Sequence, residues 1–300
     1  MDTPLVSFII VVNNDAPPGA VFELLDSFYP QEAAVPFEML VVEKTDALRR
    51  QAYSNRYPWV KLIECADLSR GSKPRCDALK DAQGELVVFL EDHVTIGKDY
   101  LKNIVELFEE GHDAVAGPVL IGHGDSASAW VEYFCEYHRW LPCRPDGRID
   151  DLPGCNFAYR RSVLDALGDF ICGDFKLENL FNQRAAKRGY KLYFSHRVPV
   201  RHYDDKSFPE LLRYRFYYGK TFAAKRGFSF LKRVLYASLF PVIALVEYGR
   251  IARDAACDRL LLKKFIIYTP GLLLILMAWM FGESLGYITK REAHVFIRSR

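Results

Sequence analysis

The chain has 300 residues, half of them apolar, 14% aromatic and 26% charged, which is ample material for a large core and excludes a disordered or low-complexity protein. The formal net charge of +2 hides an asymmetry: 1–210 holds 24 Lys+Arg against 33 Asp+Glu, a net of −9, and 211–300 holds 16 against 5, a net of +11. Long apolar runs separate the charges of the basic segment, a pattern that suits an anionic lipid surface and speaks against nucleic acid as the partner.

The first half alternates between two periods. Val6 to Val12 is a short apolar run that reads as a buried strand; Asn13 to Gly19 is turn chemistry; Ala20 to Phe28 has helical spacing; Phe37 to Val42 is a second strand. The pattern continues with helices at Ala47–Tyr57, Lys73–Ala82 and Tyr100–Glu110, and strands at Val60–Ile63, Leu86–Leu90 and Ala114–Val119. Such alternation predicts βαβ units with right-handed crossovers and one mostly parallel sheet. Val6–Val12 lacks preceding basic residues and is too short for a signal-peptide core, so no N-terminal export signal is expected. The seven cysteines are odd in number and contain no C-x-x-C pair, which predicts neither a zinc site nor a disulfide framework and fits a reducing compartment.

Leu86 to Leu90 is the strand around which the chemistry gathers. It runs into Glu91, Asp92 and His93 at its C-terminal end, the side of an open α/β sheet on which ligands bind. Adjacent oxygen and nitrogen donors there can hold a divalent cation and, through it, a phosphate. From Ser126 to Pro153 the regularity breaks into an aromatic helix (Trp130, Tyr133, Phe134, Tyr137, Trp140) and a Pro/Gly/Asp loop of the length that is usually functional or mobile. A short strand at Gly154–Tyr159, helices at Arg161–Leu167 and Leu177–Arg188, and two edge strands at Lys191–Phe194 and Val198–His202 complete the α/β part. Beyond Ser207, Phe208, Leu211, Leu212 and Phe216 share a helical face rimmed by Arg213, Arg215 and Lys220, an amphipathic helix suited to a membrane interface. The uncharged runs Val234–Val246, broken by Pro241, and Phe265–Gly282 follow; the second measures about 27 Å as a helix, close to the ~30 Å of a bilayer core.

Several spaced motifs between Pro4 and His202 resemble glycosyltransferase family 2, the inverting nucleotide-sugar transferases of the GT-A fold. Val6-Ser-Phe-Ile-Ile-Val-Val-Asn-Asn14 is similar to that family's opening strand and loop, and Leu40-Val-Val-Glu-Lys-Thr45 to its second strand, which ends in an acid that contacts the nucleotide. Gly71-Ser-Lys-Pro-Arg-Cys-Asp-Ala-Leu79 and Ala82-Gln-Gly-Glu85 resemble its Gly-x-x-x-Arg helix and Ala-x-Gly-Glu turn, and Glu91-Asp92-His93 falls on its Asp-x-Asp metal motif. The resemblance implies Asn14, Glu43, Arg75, Asp92 and Asn156 as nucleotide-sugar ligands. It implies Glu91, Asp92, His93 and, more weakly, His202 as metal ligands. Glu178, counted back from Arg184 and Gly189, occupies the position of the general base, with Leu177 where the family has a preceding acid. The Glu/His replacements in the metal motif favour Mn²⁺ over Mg²⁺ as the divalent cation, because imidazole is softer than carboxylate.

The expected architecture is thus a GT-A α/β catalytic domain at 1–206, an amphipathic interface helix at 207–232 and C-terminal membrane-anchoring helices with a basic tail at 233–300. The expected activity is transfer of a sugar from a nucleotide-diphosphate sugar to a glycan, polysaccharide or lipid-linked hydroxyl, on the cytoplasmic face of a membrane whose lipids are a further partner. Two competing expectations are a nucleotidyltransferase, although Asn13–Gly19 with one glycine supplies no Gly-rich phosphate loop, and a membrane-bound scaffold that has lost the metal site. For the tail, two spans are favoured slightly over one. Two would place Arg250, Arg253, Arg259, Lys263 and Lys264 on the far side, against the positive-inside tendency.

Overall fold

The computed structural model describes residues 4–12, 19–31, 35–65, 68, 73–122, 126–168, 178–204 and 206–291, with the backbone alone at 178 and 179. They form two compact units, one drawn from 1–120 and 145–203, the other from 121–144 and 204–296. The aromatic helix that the sequence pattern kept within 1–206 therefore clusters with the C-terminal helices.

The first unit is built on an eight-stranded sheet of order β3-β2-β1-β4-β9-β6-β10-β8. β1 (Val6–Val11) lies between β2 (Phe37–Glu43) and β4 (Leu86–Glu91), parallel to both, and β3 (Val60–Glu64) extends that parallel half beyond β2. All six residues of β1 and the first five of β4 are buried, as a central strand covered on both faces requires. β9 (Asn156–Arg160) runs antiparallel between β4 and β6 (Ala114–Ala116), and Phe89 stacks on Phe157 across the β4–β9 pair at 4.8 Å. Gly84, in the turn before β4, donates its N–H to Ser7 Oγ at 2.8 Å. A Cβ there would collide with the backbone of β1, so the glycine of the Ala-x-Gly-Glu turn is a close-approach residue.

The sheet is flanked by α1 (Ala20–Asp26), α2 (Ala47–Arg56), α3 (Lys73–Asp81), α4 (Tyr100–Glu109), α6 (Arg161–Leu167) and α7 (Glu178–Lys187). α2 begins where the Asp46 carboxylate accepts the Arg49 N–H at 2.7 Å, an N-cap that satisfies one of the open donors of the first turn. On α4, Tyr100, Leu101, Ile104, Val105, Leu107 and Phe108 are buried, the helical stripe visible in the sequence.

Three features differ from the sequence expectation. Val198–His202 was expected to be an edge strand, whereas β11 (Val200–His202) is the middle strand of a separate three-stranded sheet, between β5 (Val94–Ile96) and β7 (Val119–Ile121). Lys191–Phe194 was expected at an edge as well, but β10 (Leu192–Phe194) is covered by β8 (Gly147–Arg148). Two- and three-residue strands are too short for alternation to register, so pairing alone defines them. The loop before β9 is tied down rather than loose: Asn182 donates to Asp151 at 2.8 Å and to the Leu152 carbonyl at 3.1 Å, and Tyr159 donates to Asn182 at 2.6 Å, all buried.

The second unit contains α5 (Ala127–Tyr137), a 3₁₀ turn at His138–Trp140, α8 (Phe208–Lys225), α9 (Phe230–Ser238), α10 (Phe240–Ala255) and α11 (Arg259–Thr289). The expected run Val234–Val246 is divided between α9 and α10, which meet at a 70° bend, with Pro241 in the first turn of α10, where its missing N–H costs nothing. The run Phe265–Gly282 lies wholly inside α11.

Two further expectations are corrected here. Arg215 was read as a surface arginine facing headgroups. Leu211, Arg215, Gly219 and Phe222 instead form the buried face of α8, and the Arg215 guanidinium pairs with Glu136 and lies 3.6 Å from Glu132. Lys206 joins the same group at 3.5 Å from Glu132 and 2.5 Å from Asp204. The cysteines are not all free: Cys143 and Cys257, 114 residues apart, form a disulfide with a Cα–Cα distance of 5.9 Å. A separation that long has no spacing signature, and the bridge removes the cysteine argument for a reducing compartment.

Candidate active site at the sheet edge

The register gathers the expected residues from distant parts of the chain. Val11 is level with Val42 on one side and Glu91 on the other, so Glu43 and Glu91 both lie at the C-terminal ends of parallel strands. Asn156 is level with Leu90 because β9 enters from the same end. In the small sheet His202 pairs with Val94, which carries its imidazole to the residues just after β4.

The result is a cluster of Glu91, His93 and His202 whose ligating atoms all lie within 4.8 Å of one another. His202 Nε2 is 3.2 Å from Glu91 Oε2, His93 Nε2 is 3.6 Å from the same oxygen, and the two rings are 4.5 Å apart. Burial would raise the Glu91 carboxyl, but the hydrogen bond from His202 and the charges of His93, His202 and Arg75 outweigh it and hold the group down at about 2. The site is therefore built to keep a carboxylate ionised. One carboxylate and two imidazoles converging on one point are a donor set that fits a borderline divalent ion, and a cation there would replace the protons that otherwise join the three side chains.

Asp92 takes a different position. It is fully buried, and its Oδ1 lies 2.8 Å from His93 Nδ1, an arrangement in which the carboxylate orients the ring and leaves Nε2 to face the cluster. Glu43 is buried at the end of β2 and accepts from Arg49 Nε at 2.8 Å and from the Tyr53 hydroxyl. Burial, reinforced by that bond and by the Glu43 charge, pushes the Tyr53 phenol well up, so it remains a donor. Arg75 lies on the half-buried side of α3, near enough for its charge to act on Glu91. Asn156 accepts from the Tyr100 hydroxyl at 2.5 Å and donates to the Val198 carbonyl at 2.9 Å, which locks β9 to α4 and to the approach of β11. Glu178 opens α7; its side chain, like Asn14, lies outside the described residues.

His202 is the residue of the cluster that lies outside the Glu91-Asp92-His93 motif. Its signal is its place after the last short strand, and only the pairing of β11 with β5 makes that place meaningful.

The model of the family Glycosyl transferase family 2 matches residues 7–168, just over half of the chain. No curated protein gives a significant match. Among solved structures, the chain is similar to the mannosyltransferase PcManGT from Pyrobaculum calidifontis, in complex with GDP-Man and Mn²⁺. Identity there is 19% and the TM-score 0.63, covering 97% of this chain and 89% of that one. It is also similar to GalNAc-T7 with UDP, GalNAc and Mn²⁺, at 15% identity and a TM-score of 0.50, covering 68% of this chain and 44% of that one. Identities this low speak to fold alone; the family match carries the activity and sets the nucleotidyltransferase alternative aside. With a strand-end site on a mostly parallel sheet and this match over its first half, the chain belongs to glycosyl transferase family 2 and is a glycosyltransferase of the GT-A fold.

Proposed function

We propose that the protein is a membrane-associated, inverting glycosyltransferase that moves a sugar from a nucleoside-diphosphate sugar to a hydroxyl of a glycan, polysaccharide or lipid-linked acceptor at the cytoplasmic face. The observation that carries this reading is the Glu91–His93–His202 cluster at the end of β4, and both similar proteins were solved with a nucleotide and Mn²⁺. Glu91, His93 and His202 would hold the cation, and its chemistry there would be to neutralise charge on the diphosphate. Two imidazoles favour Mn²⁺ over Mg²⁺. Asp92 keeps the His93 ring in register, Arg75 and Glu43, the latter braced by Arg49 and Tyr53, bind the nucleotide, and Asn14 is a further nucleotide-sugar ligand. Asn156 borders the sugar from beneath.

Glu178 is the base. Its carboxylate takes the proton of the acceptor hydroxyl as that oxygen bonds to the anomeric carbon and the bond to the diphosphate breaks on the opposite face, which inverts the centre. Membrane attachment is supported by α11, which is long and apolar enough to cross a bilayer, and by the basic charge of 211–300.

The test is a panel of nucleotide sugars scored for transfer and for thermal stabilisation of the full chain, with Mn²⁺, Mg²⁺ or EDTA. A donor at 100 times its dissociation constant adds about 2.7 kcal/mol to folded stability. The reading expects stabilisation that needs the cation and is weakened more by His93→Ala than by Glu91→Gln. Equal affinity in EDTA and Mn²⁺, or no transfer from any donor, overturns it.

A further inference from the structure

We propose that the helical unit is monotopic: α9, α10 and α11 lie in the plane of one anionic leaflet, and no segment between 208 and 291 crosses the bilayer. This rests on the membrane attachment proposed above and goes beyond it by excluding both the one-span and the two-span arrangements of the tail.

The first observation is the exposed face of α11. Leu260, Ile267, Leu274, Phe281 and Ile288, seven residues apart throughout, are 59, 53, 57, 47 and 63% exposed. From Ile267 to Ile288 they form an apolar stripe about 32 Å long at 1.5 Å per residue, with the exposed Lys263 on the same face between Leu260 and Ile267. The other side of α11 is packed against protein for its whole length: Phe265 against Phe134, Tyr268 against Trp130, and Gly271 against Val131 and Phe208. Further along, Trp279 and Gly282 lie against Gly219 and Phe216, and Gly286 against Lys220. One side of α11 is thus covered by protein while the other is exposed.

The second observation is what covers it. α8 runs parallel to α11 from Phe208 beside Gly271 to Lys220 beside Gly286, and a Cβ at Gly219, Gly282 or Gly286 would overlap the facing backbone. The two helices are in backbone contact and must share one orientation. If α11 stood upright with Phe265–Gly282 in the hydrocarbon, the start of α8 would sit beside Gly271 at that same depth. Its open N-terminal N–H groups and the Ser207–Glu210 cap, a 3.0 Å bond from the Ser207 N–H to the Glu210 carboxylate, would sit there too. So would the exposed Arg213, which follows Glu210 by one turn. Helix ends and exposed charges are what the bilayer interior excludes. Laid in the plane, the same pair places α11 in the acyl region and α8 towards the headgroups.

The third observation is the surround. Phe230, Leu231, Val234 and Leu235 on α9, Leu239 at the junction, and Val242, Leu245 and Val246 on α10 are exposed, and the 70° bend between the two helices suits a shallow path better than a crossing. Lys232, Arg250, Arg253, Arg259, Lys263 and Lys290 are exposed cations on the same three helices or just past their end. Held on one side of the membrane, they complement anionic headgroups and obey the positive-inside tendency that two spans would break.

The test uses the full chain in sealed phosphatidylcholine–phosphatidylglycerol vesicles, with one protease site inserted after Cys257 and a second after Arg300. An N-terminal tag marks the outer face. The proposal expects both sites to be cut from the side that carries the tag. Protection of the second site alone means one span, and protection of the first means two; either overturns the proposal while leaving attachment intact. Recovery of intact protein in the carbonate supernatant overturns attachment itself and the proposal with it. As a second measurement that needs no inserted site, brominated-lipid quenching of Leu260→Trp, Leu274→Trp and Ile288→Trp should report one common shallow depth; quenching deepest at 274 and weak at both ends overturns the proposal.

Discussion

In the sheet unit Phe8, Phe89 and Phe157 are at most 1% exposed, and ionised groups gather at strand ends. In the helical unit Arg215 is 1% exposed while Phe230, Leu231 and Leu245 are 71, 80 and 61% exposed. Both units bury apolar side chains; the helical unit also buries a guanidinium and leaves large apolar side chains exposed. Apolar burial drives folding only against water. The helical unit combines packing, buried ion pairs and close backbone contact with an exposed apolar face. The contrast also separates the Glu91–His93–His202 cluster, in the first unit, from the long apolar helix α11, in the second.

The largest expected effect lies in the chemistry of the sheet unit. Glu178→Gln should keep donor binding and lose about 10²–10⁴-fold in transfer rate, the usual size of a general-base contribution. Single-turnover transfer beside donor affinity measures this; a normal rate would move the base elsewhere. No change in the helical unit's exposed apolar face should act on the chemical step in this way.

Next comes the core itself. Phe157→Ala, in the stack with Phe89, should cost about 3–5 kcal/mol in chemical denaturation. Leu231→Ser, at a site 80% exposed, should change folded stability in detergent by no more than about 0.5 kcal/mol while weakening vesicle binding. A large loss of folded stability from Leu231→Ser would erase the contrast between the units.

The ion pairs of the helical unit offer a comparison of similar size. Arg215→Ala leaves Glu136 and Glu132 facing a vacated pocket and should cost about 3–5 kcal/mol, whereas Arg215→Met, which fills the space without charge, should cost far less only when paired with neutral replacements of both acids. A mild Arg215→Ala would mean that water reaches the group.

The smallest effect is in pH dependence. Burial lowers the His138 pKa, but hydrogen bonds to Asp254 at 2.8 Å and Glu247 at 3.1 Å outweigh it and leave the value raised above 6.5. A raised folded value means that the stabilisation is complete below pH 6.5 and is lost as pH rises through the folded pKa. Thermal denaturation of the helical unit between pH 6 and 9 should show that decline, and His138→Gln should flatten it. The corresponding profile of the sheet unit should not respond to this variant.

Much of the sheet unit was legible in the chain because its strands are continuous apolar runs and its helices carry a 3.6-residue stripe, both of which are local patterns. Val6–Val11, Phe37–Glu43 and Leu86–Glu91 follow directly from such runs, and Glu91 and His93 follow from where the third one ends. The long apolar helix was legible for the same reason, in the uncharged run Phe265–Gly282. Tertiary structure decided the rest. His202 joins Glu91 only through the β5–β11 pairing, Asp92 is turned to the ring of His93 rather than into the cluster, and Arg215 is inside because α8 is covered on that face. The Cys143–Cys257 bridge and the packing of Gly282 and Gly286 on α8 join residues tens of positions apart. Local periodicity records which side chains prefer water; which distant backbone will come to lie against them is settled only when the chain closes on itself.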